Sequence, residues 1–271
     1  MTSRPSAEAL PREFDDAVAD VRPRLGSFAA RIHYYSTIGS TNDVASGLAS
    51  GGGPEGSVGT VVVADAQSAG RGRRGRTWFS PPGAGLYVSV VLAPARSIDS
   101  TRARALTTLG AGVAIAEGVE LATGLRADLK WPNDLFVARR KLGGILAEAV
   151  GDVVVLGYGI NVGPAAYPVE LTDRATSLES ELGRPVDRAR VFAETLAALA
   201  ARHADLLAGR FDAILDSWRA RSPGCQGRRV SWTTPSGQHT GVTAGIDELG
   251  ALLVRIDGRI ERIVAGELVW F

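Results

Sequence analysis

Hydrophobic and polar positions along the chain follow two periods. Thr60-Val61-Val62-Val63-Ala64 is an unbroken apolar run, the pattern of a strand covered on both faces. Gly85 to Ala93 reads as another strand, and Ile32 to Ser36 as a shorter one ahead of both. Leu106, Leu109, Val113, Ala116 and Val119 recur at helical spacing and predict a core-packing helix over 102–123. Arg188 to Leu207 and Phe211 to Arg221 read as further helices, and Ser6 to Arg22 as a short amphipathic one. Val153 to Leu156 should pair with Ile145 to Ala149 across Gly151-Asp152. Residues 163–185 read as a loop with a short helix near Ser177. The pattern changes at Ser222-Pro223-Gly224. Short strands follow, Arg229 to Thr233, Gly241 to Asp247, Ala251 to Ile256 and Arg259 to Val264, with turns at Pro235-Ser236-Gly237, Glu248-Leu249-Gly250 and Asp257-Gly258. Regular short strands with glycine turns suggest a small barrel, too small to stand alone and so packed on the main domain.

A chain of 271 residues can hold one large domain and a small second one. Hydrophobic residues at 45% and charged residues at 22% place it among ordinary globular proteins. A net charge of +1 argues against bulk attraction to nucleic acid or membrane. The single cysteine, Cys225, excludes an internal disulfide and a cysteine-rich zinc site, and His33, His203 and His239 lack metal-ligand spacing. The first residues lack the apolar core of a signal peptide, and no stretch reads as long enough to span a membrane, so the cytoplasm is the expected location.

The candidate chemistry centres on Gly70-Arg71-Gly72-Arg73-Arg74-Gly75-Arg76-Thr77-Trp78. No acid occurs between Asp65 and Asp99, so this charge is expected to need an anionic partner. Glycine lets backbone approach a ligand, and the arginine fork suits phosphate or carboxylate. The same run could be a solvated face or an RNA-binding segment. It also approximates a phosphate-binding P-loop, but Arg76 replaces the lysine and Trp78-Phe79-Ser80-Pro81-Pro82 replaces the helix that loop requires. Ser40 or Thr41 caps a helix whose free N–H groups can meet a polar ligand. Gln67 stands at a strand end. Lys130-Trp131-Pro132-Asn133-Asp134 reads as a hairpin turn, followed by Lys141-Leu142-Gly143-Gly144 and, later, Gly157-Tyr158-Gly159-Ile160-Asn161.

In this order, Gly39-Ser40-Thr41-Asn42, Gln67 with the arginine loop and Trp78, the Lys130–Asp134 run, Lys141 with Gly144, and Gly159-Ile160-Asn161 resemble a biotin protein ligase over residues 32–271. The resemblance implies an α+β fold. A mixed sheet with helices on one face, class II synthetase-like, would be followed by a small SH3-like barrel. The units would be a lead-in over 1–30, a catalytic domain over 31–222 and a C-terminal domain over 223–271. It implies that biotin and ATP, with Mg²⁺, give biotinyl-5′-AMP. A lysine of a biotin carboxyl carrier domain of a carboxylase then takes the biotin. Carboxylate and phosphate repel by about 4 kcal/mol at about 4 Å and an effective dielectric of about 20, which cations must offset. By resemblance, Lys141 sits between them, with Arg73 and Asp134 also catalytic. Ser40, Thr41, Asn42 and Gln67 serve biotin, with the loop backbone at Gly70, Arg71, Gly72 and Arg73, and with Lys141, Gly144 and Gly157. Arg73, Arg76, Trp78, Asn133, Asp134, Lys141 and Asn161 serve the nucleotide. Asp134 bears on Mg²⁺ or on the incoming lysine. The loop is expected to be mobile until biotin binds. No DNA or membrane partner is expected, and a homodimer is compatible. A lipoate or octanoate transferase of related fold and, more distantly, an RNA-binding module are the alternatives.

Overall fold

The structure, a computed structural model, describes residues 6–51, 56–164, 168–234, 237–266 and 268–271. Strand β2 (Val61–Gln67) accounts for the unbroken apolar run. Its side chains alternate between two separate cores, as strand geometry requires. Val61 and Val63 enter the larger core, whereas Val62 and Ala64 pack with Ala45 and Ala49 of helix α2 (Thr41–Gly51). With β1 (Ile32–Ile38), β3 (Gly85–Leu92), β4 (Asp128–Lys130), β5 (Asp134–Val137), β6 (Arg140–Val150) and β7 (Val153–Asn161), β2 forms a seven-stranded sheet. Its order is β1-β2-β3-β7-β6-β5-β4. Only β1 and β2 run parallel; the other neighbours are antiparallel.

The larger core is closed by α1 (Arg12–Leu25), α3 (Ser100–Thr123), α5 (Arg188–Leu207) and α6 (Phe211–Ala220), with Leu178 of the short α4 (Leu178–Leu182). The expectation of helices on one face thus describes most of them, while α2 lies across part of the other face and leaves the rest of it open. Helices α3 and α5 cross closely at Gly118, where a methyl group would lie 2.6 Å from the Thr195 nitrogen. By length and composition α3 could cross a membrane, contrary to the expectation that no stretch is long enough, yet Leu106, Val113, Ile115 and Val119 are fully buried in this core.

Helix α1 starts at Arg12 rather than Ser6. Pro11 stands at the N-cap position, has no N–H to continue a helix, and biases the residue before it to extended backbone. The freed segment instead bridges to β1: Glu8 N donates to Tyr34 O (2.9 Å), and the Glu8 carboxylate accepts from Ser36 N (3.0 Å) and Oγ (2.7 Å). Phe14, Val18, Val21 and Leu25 of α1 are buried, and Arg24 grips Glu194 through both guanidinium nitrogens. The segment before β1 is therefore part of the main core.

Residues after α6 form β8 (Gln226–Thr234), β9 (Gly237–Ile246), β10 (Leu252–Ile256), β11 (Arg259–Ile263) and β12 (Val269–Trp270), ordered β11-β10-β9-β8-β12. Among the described residues β11 and β12 do not pair, so the small barrel suggested by the sequence is an antiparallel sheet that is not closed. Of the turn at 235–237, Pro235 and Ser236 lie outside the described residues. The unit is held to the main domain through carbonyls of its β9–β10 turn: Trp131 Nε1, between β4 and β5, donates to Gly250 O (3.0 Å) and Arg102 Nε, on α3, to Glu248 O (3.1 Å).

Candidate active-site cleft

The open part of the sheet is floored by glycine. Gly144 pairs with Gly159, and Leu146 with Gly157, so the three glycines share one face. Above them lie side chains that a Cβ would displace. One at Gly157 would strike the Asn42 amide, and one at Gly159 the Trp78 indole. One at Gly144 would lie 3.2 Å from Trp78 Cζ3 and 3.3 Å from Lys141 Cε. A cleft of about 610 Å³ results, within the usual range for a small-molecule site. Every nominated residue lines it except Gly70, which packs behind the loop against Ser80.

One end of the cleft is neutral and polar. Ser40, Thr41 and Asn42 are almost fully buried at the start of α2, where helix N–H groups lack intrahelical partners. Gln67 Oε1 accepts from Thr41 N (2.9 Å) and Thr41 Oγ1 (3.2 Å), while Gln67 Nε2 donates to Ser80 Oγ (2.9 Å). Ser89 Oγ lies 2.8 Å from Thr41 Oγ1 and 2.6 Å from Asn42 Oδ1. Donors and acceptors thus alternate over a few ångströms, which suits a compact ligand head carrying both.

The other end is cationic. Lys141 Nζ lies 2.7 Å from Asp134 Oδ1 and 5.3 Å above the Trp78 ring. Arg73 Nη1 donates to Asn133 Oδ1 (3.0 Å), whose Nδ2 donates to Ile145 O (2.8 Å). Asn161 Nδ2 donates to Thr176 O (2.9 Å). The segment carrying Thr176 is laid along Lys141, which donates from N to Arg174 O (2.7 Å) and accepts at O from Thr176 N (2.9 Å). Trp78 Nε1 is buried without a partner among the described residues and faces Gly159.

Between the two ends stands the arginine loop, folded as a hairpin. Arg71 bridges Thr77, and Gly72 N donates to Arg76 O (2.7 Å). Its tip turns through left-handed backbone at Arg74 (φ 59°) and Gly75 (φ 74°). The expectation of unpaired charge fails for Arg71, which pairs with Asp43 (2.7 Å) on α2 and with Glu148 on β6. The local stretch carries no acid, but distant elements supply two.

Several cleft residues escaped the sequence. Lys130 lies over the rings of Phe136 (5.0 Å) and Trp270 (5.7 Å), and all three line the cleft. Lys130 belongs to the Lys130–Asp134 motif and could have been nominated from it. Trp270 sits in a two-residue strand with no periodic signal. The only lysines in the sequence, Lys130 and Lys141, are thus both in this cleft. Among the described residues no group of three or more acids, histidines or cysteines could hold a metal alone. A Mg²⁺ carried by nucleotide phosphates needs only one or two protein carboxylates, and Asp134 fits that need.

Known proteins resemble this chain over both units. Residues 38–164 match the Biotin/lipoate A/B protein ligase family, and residues 227–269 match the biotin protein ligase C terminal domain. The chain is 36% identical over 242 residues to the bifunctional ligase/repressor BirA of Bacillus subtilis, covering 87% of this chain and 72% of that one. It is 35% identical over 250 residues to the biotin--[acetyl-CoA-carboxylase] ligase of Mycobacterium tuberculosis, covering 90% of each. The solved biotin protein ligase from Aquifex aeolicus, in complex with biotin and ATP, superposes with a TM-score of 0.77 at 29% identity over 89% of this chain and 99% of that one. With both of its folded units matched in order, this chain belongs to the biotin protein ligase family.

Proposed function

We propose that the protein is an ATP-dependent biotin protein ligase. Biotin's carboxylate attacks the α-phosphorus of ATP and pyrophosphate leaves. The amine of an acceptor lysine then attacks the acyl carbon and AMP leaves. The substrates supply both nucleophiles, so the protein contributes positioning and electrostatics. The observation that carries this reading is one glycine-floored cleft with a neutral polar end and a cationic end. Ser40, Thr41 and Gln67 suit the ureido ring, and Gly144 and Gly157 admit the ring system close to backbone. Lys141 and Arg73 face the place where carboxylate and phosphate must meet. Asp134 Oδ1 lies 2.7 Å from Lys141 Nζ and so fixes where the lysine stands. The same carboxylate would serve phosphate-bound Mg²⁺ or the acceptor ammonium. Arg76, Trp78, Asn133 and Asn161 take the nucleotide side.

The acceptor is a biotin carboxyl carrier domain of a carboxylase, and the division into catalytic and C-terminal units falls near Ser222. The compartment is the cytoplasm. We infer no DNA-binding role within this sequence: α1, which precedes β1, is committed to the core, and the net charge is only +1. A gel shift with specific, salt-resistant binding would overturn that, and sedimentation reads the homodimer. Incubation with biotin, ATP, Mg²⁺ and a carrier domain should give covalent biotin on the carrier. Pyrophosphate exchange should require biotin and not lipoate; the reverse would support the lipoate reading. Lys141→Ala should slow adenylate formation by about 10²-fold or more, as for loss of one electrostatic stabiliser. Asp134→Asn separates the two roles of that residue: loss of adenylation assigns it to the metal, loss of transfer alone to the acceptor.

A further inference from the structure

Glu148 stands on β6 opposite Val155, just beyond the glycine floor, and none of the expected ligand contacts uses it. Its two oxygens serve different parts of the cleft. Oε2 accepts from Asn42 Nδ2 at 2.8 Å, and Oε1 accepts from Arg71 Nη2. Asn42 covers Gly157 at the polar end, with its Oδ1 turned to Ser89. Arg71 sits at the root of the arginine loop and is held on its other nitrogen by Asp43 (2.7 Å). From Gly70 to Trp78 the described backbone hydrogen bonds stay within the loop. Side chains therefore dock the loop on the sheet, with Arg71 on Glu148 and Arg73 on Asn133 among the contacts that do so.

We propose that Glu148 is a positioning residue that latches the arginine loop over the cleft while aiming the Asn42 amide at the bound ligand. Only the identity of that ligand rests on the ligase reading. The latch joins the sheet floor, the start of α2 and the loop through one carboxylate, so closure and ligand recognition are coupled at one residue. Arg71 and Glu148 are 40% and 33% exposed, so water competes for both, and the pair can release as a gate must. Removing Glu148 leaves Arg71 with Asp43 alone and leaves the Asn42 nitrogen without its acceptor.

The test uses Glu148→Gln, Arg71→Met, their double variant and Asp43→Asn in the full chain. Trypsin cleavage after Arg73, Arg74 and Arg76, read by mass spectrometry, should rise about tenfold in Glu148→Gln, the size of one hydrogen bond to a charged group. Escape of biotinyl-adenylate into solution and KM for biotin should rise together, with kcat at saturating biotin moving much less. A merely structural lesion would instead lower kcat and melting temperature without exposing the loop selectively. Asp43→Asn should raise cleavage by less and leave KM for biotin nearer its starting value, because Asn42 keeps its partner; it also serves if Glu148→Gln does not fold. In loop cleavage the double variant should match Arg71→Met alone, because Glu148 then has no guanidinium left to hold. Wild-type cleavage rates in Glu148→Gln, or effects that multiply in the double variant, would overturn the latch. If the wild-type protein makes no adenylate from biotin and ATP, the ligase reading falls, and the cleavage comparison still decides the latch.

Discussion

A methyl group is enough to test the floor of the cleft. Gly159→Ala must push the Trp78 indole off the sheet, because that ring already fills the space above the glycine. The expected result is changed tryptophan fluorescence and a KM for ATP raised about tenfold, on the scale of 1–3 kcal/mol for overpacking. Gly157→Ala should act at the other end, displacing Asn42 and raising KM for biotin instead; if both variants affected the same substrate, the assignment of the two ends would be wrong. The contiguous motifs are legible in the sequence because each brings its chemistry in one short run. Asp43 and Glu148 are not, because they reach Arg71 from 28 and 77 positions away, and only the packing of α2 and the register of β6 put them there. Lys130, by contrast, is legible from its place at the head of the Lys130–Asp134 run.

Elements carry their own consequences. At the α3–α5 crossing, Gly118→Ala has no room against the Thr195 backbone and should destabilise the fold by about 1–3 kcal/mol, read as a lower denaturant midpoint. On α5, His203 is buried against Phe28 (ring centroids 6.0 Å apart), and burial, with Arg96 nearby, lowers its pKa from 6.5 to about 4. The native state therefore binds fewer protons than the unfolded chain between these values. The contribution of His203 is complete above about pH 6.5 and fades as pH falls toward 4, by about 3 kcal/mol in all. His203→Gln should lose less melting temperature between pH 7 and pH 5 than the wild type; equal losses would remove His203 as the cause. Helix α5 reads directly from its spacing because one face is buried along its length. The start of α1 does not, because the good helix formers Ala7, Glu8, Ala9 and Leu10 mimic a helix that Pro11 interrupts, and β12 is too short to have a period.

At the scale of the whole molecule, the small C-terminal sheet forms one wall of the cleft rather than an appendage. Trp131 reaches from the catalytic motif to the Gly250 carbonyl, and Trp270 returns from the last strand to Lys130. Trp131→Phe removes a buried hydrogen bond and leaves a carbonyl unsatisfied, which should cost about 1–3 kcal/mol and raise KM for ATP; a loss of stability without the kinetic change would mean that the wall is only structural. The sequence signals this second unit by its change of pattern. Whether its strands close into a barrel depends on edge pairing, which short alternating runs do not encode.

With side-chain amines present only at Lys130 and Lys141, this protein carries an unusual constraint on its handling. Succinimidyl dyes, aldehyde fixatives and amine-coupling sensor surfaces have no innocuous lysine on the exterior to react with. Each lysine they capture blocks the catalytic pocket, and the single cysteine, Cys225, is buried in the core, so fluorescent tagging or immobilisation should go through an added peptide tag instead.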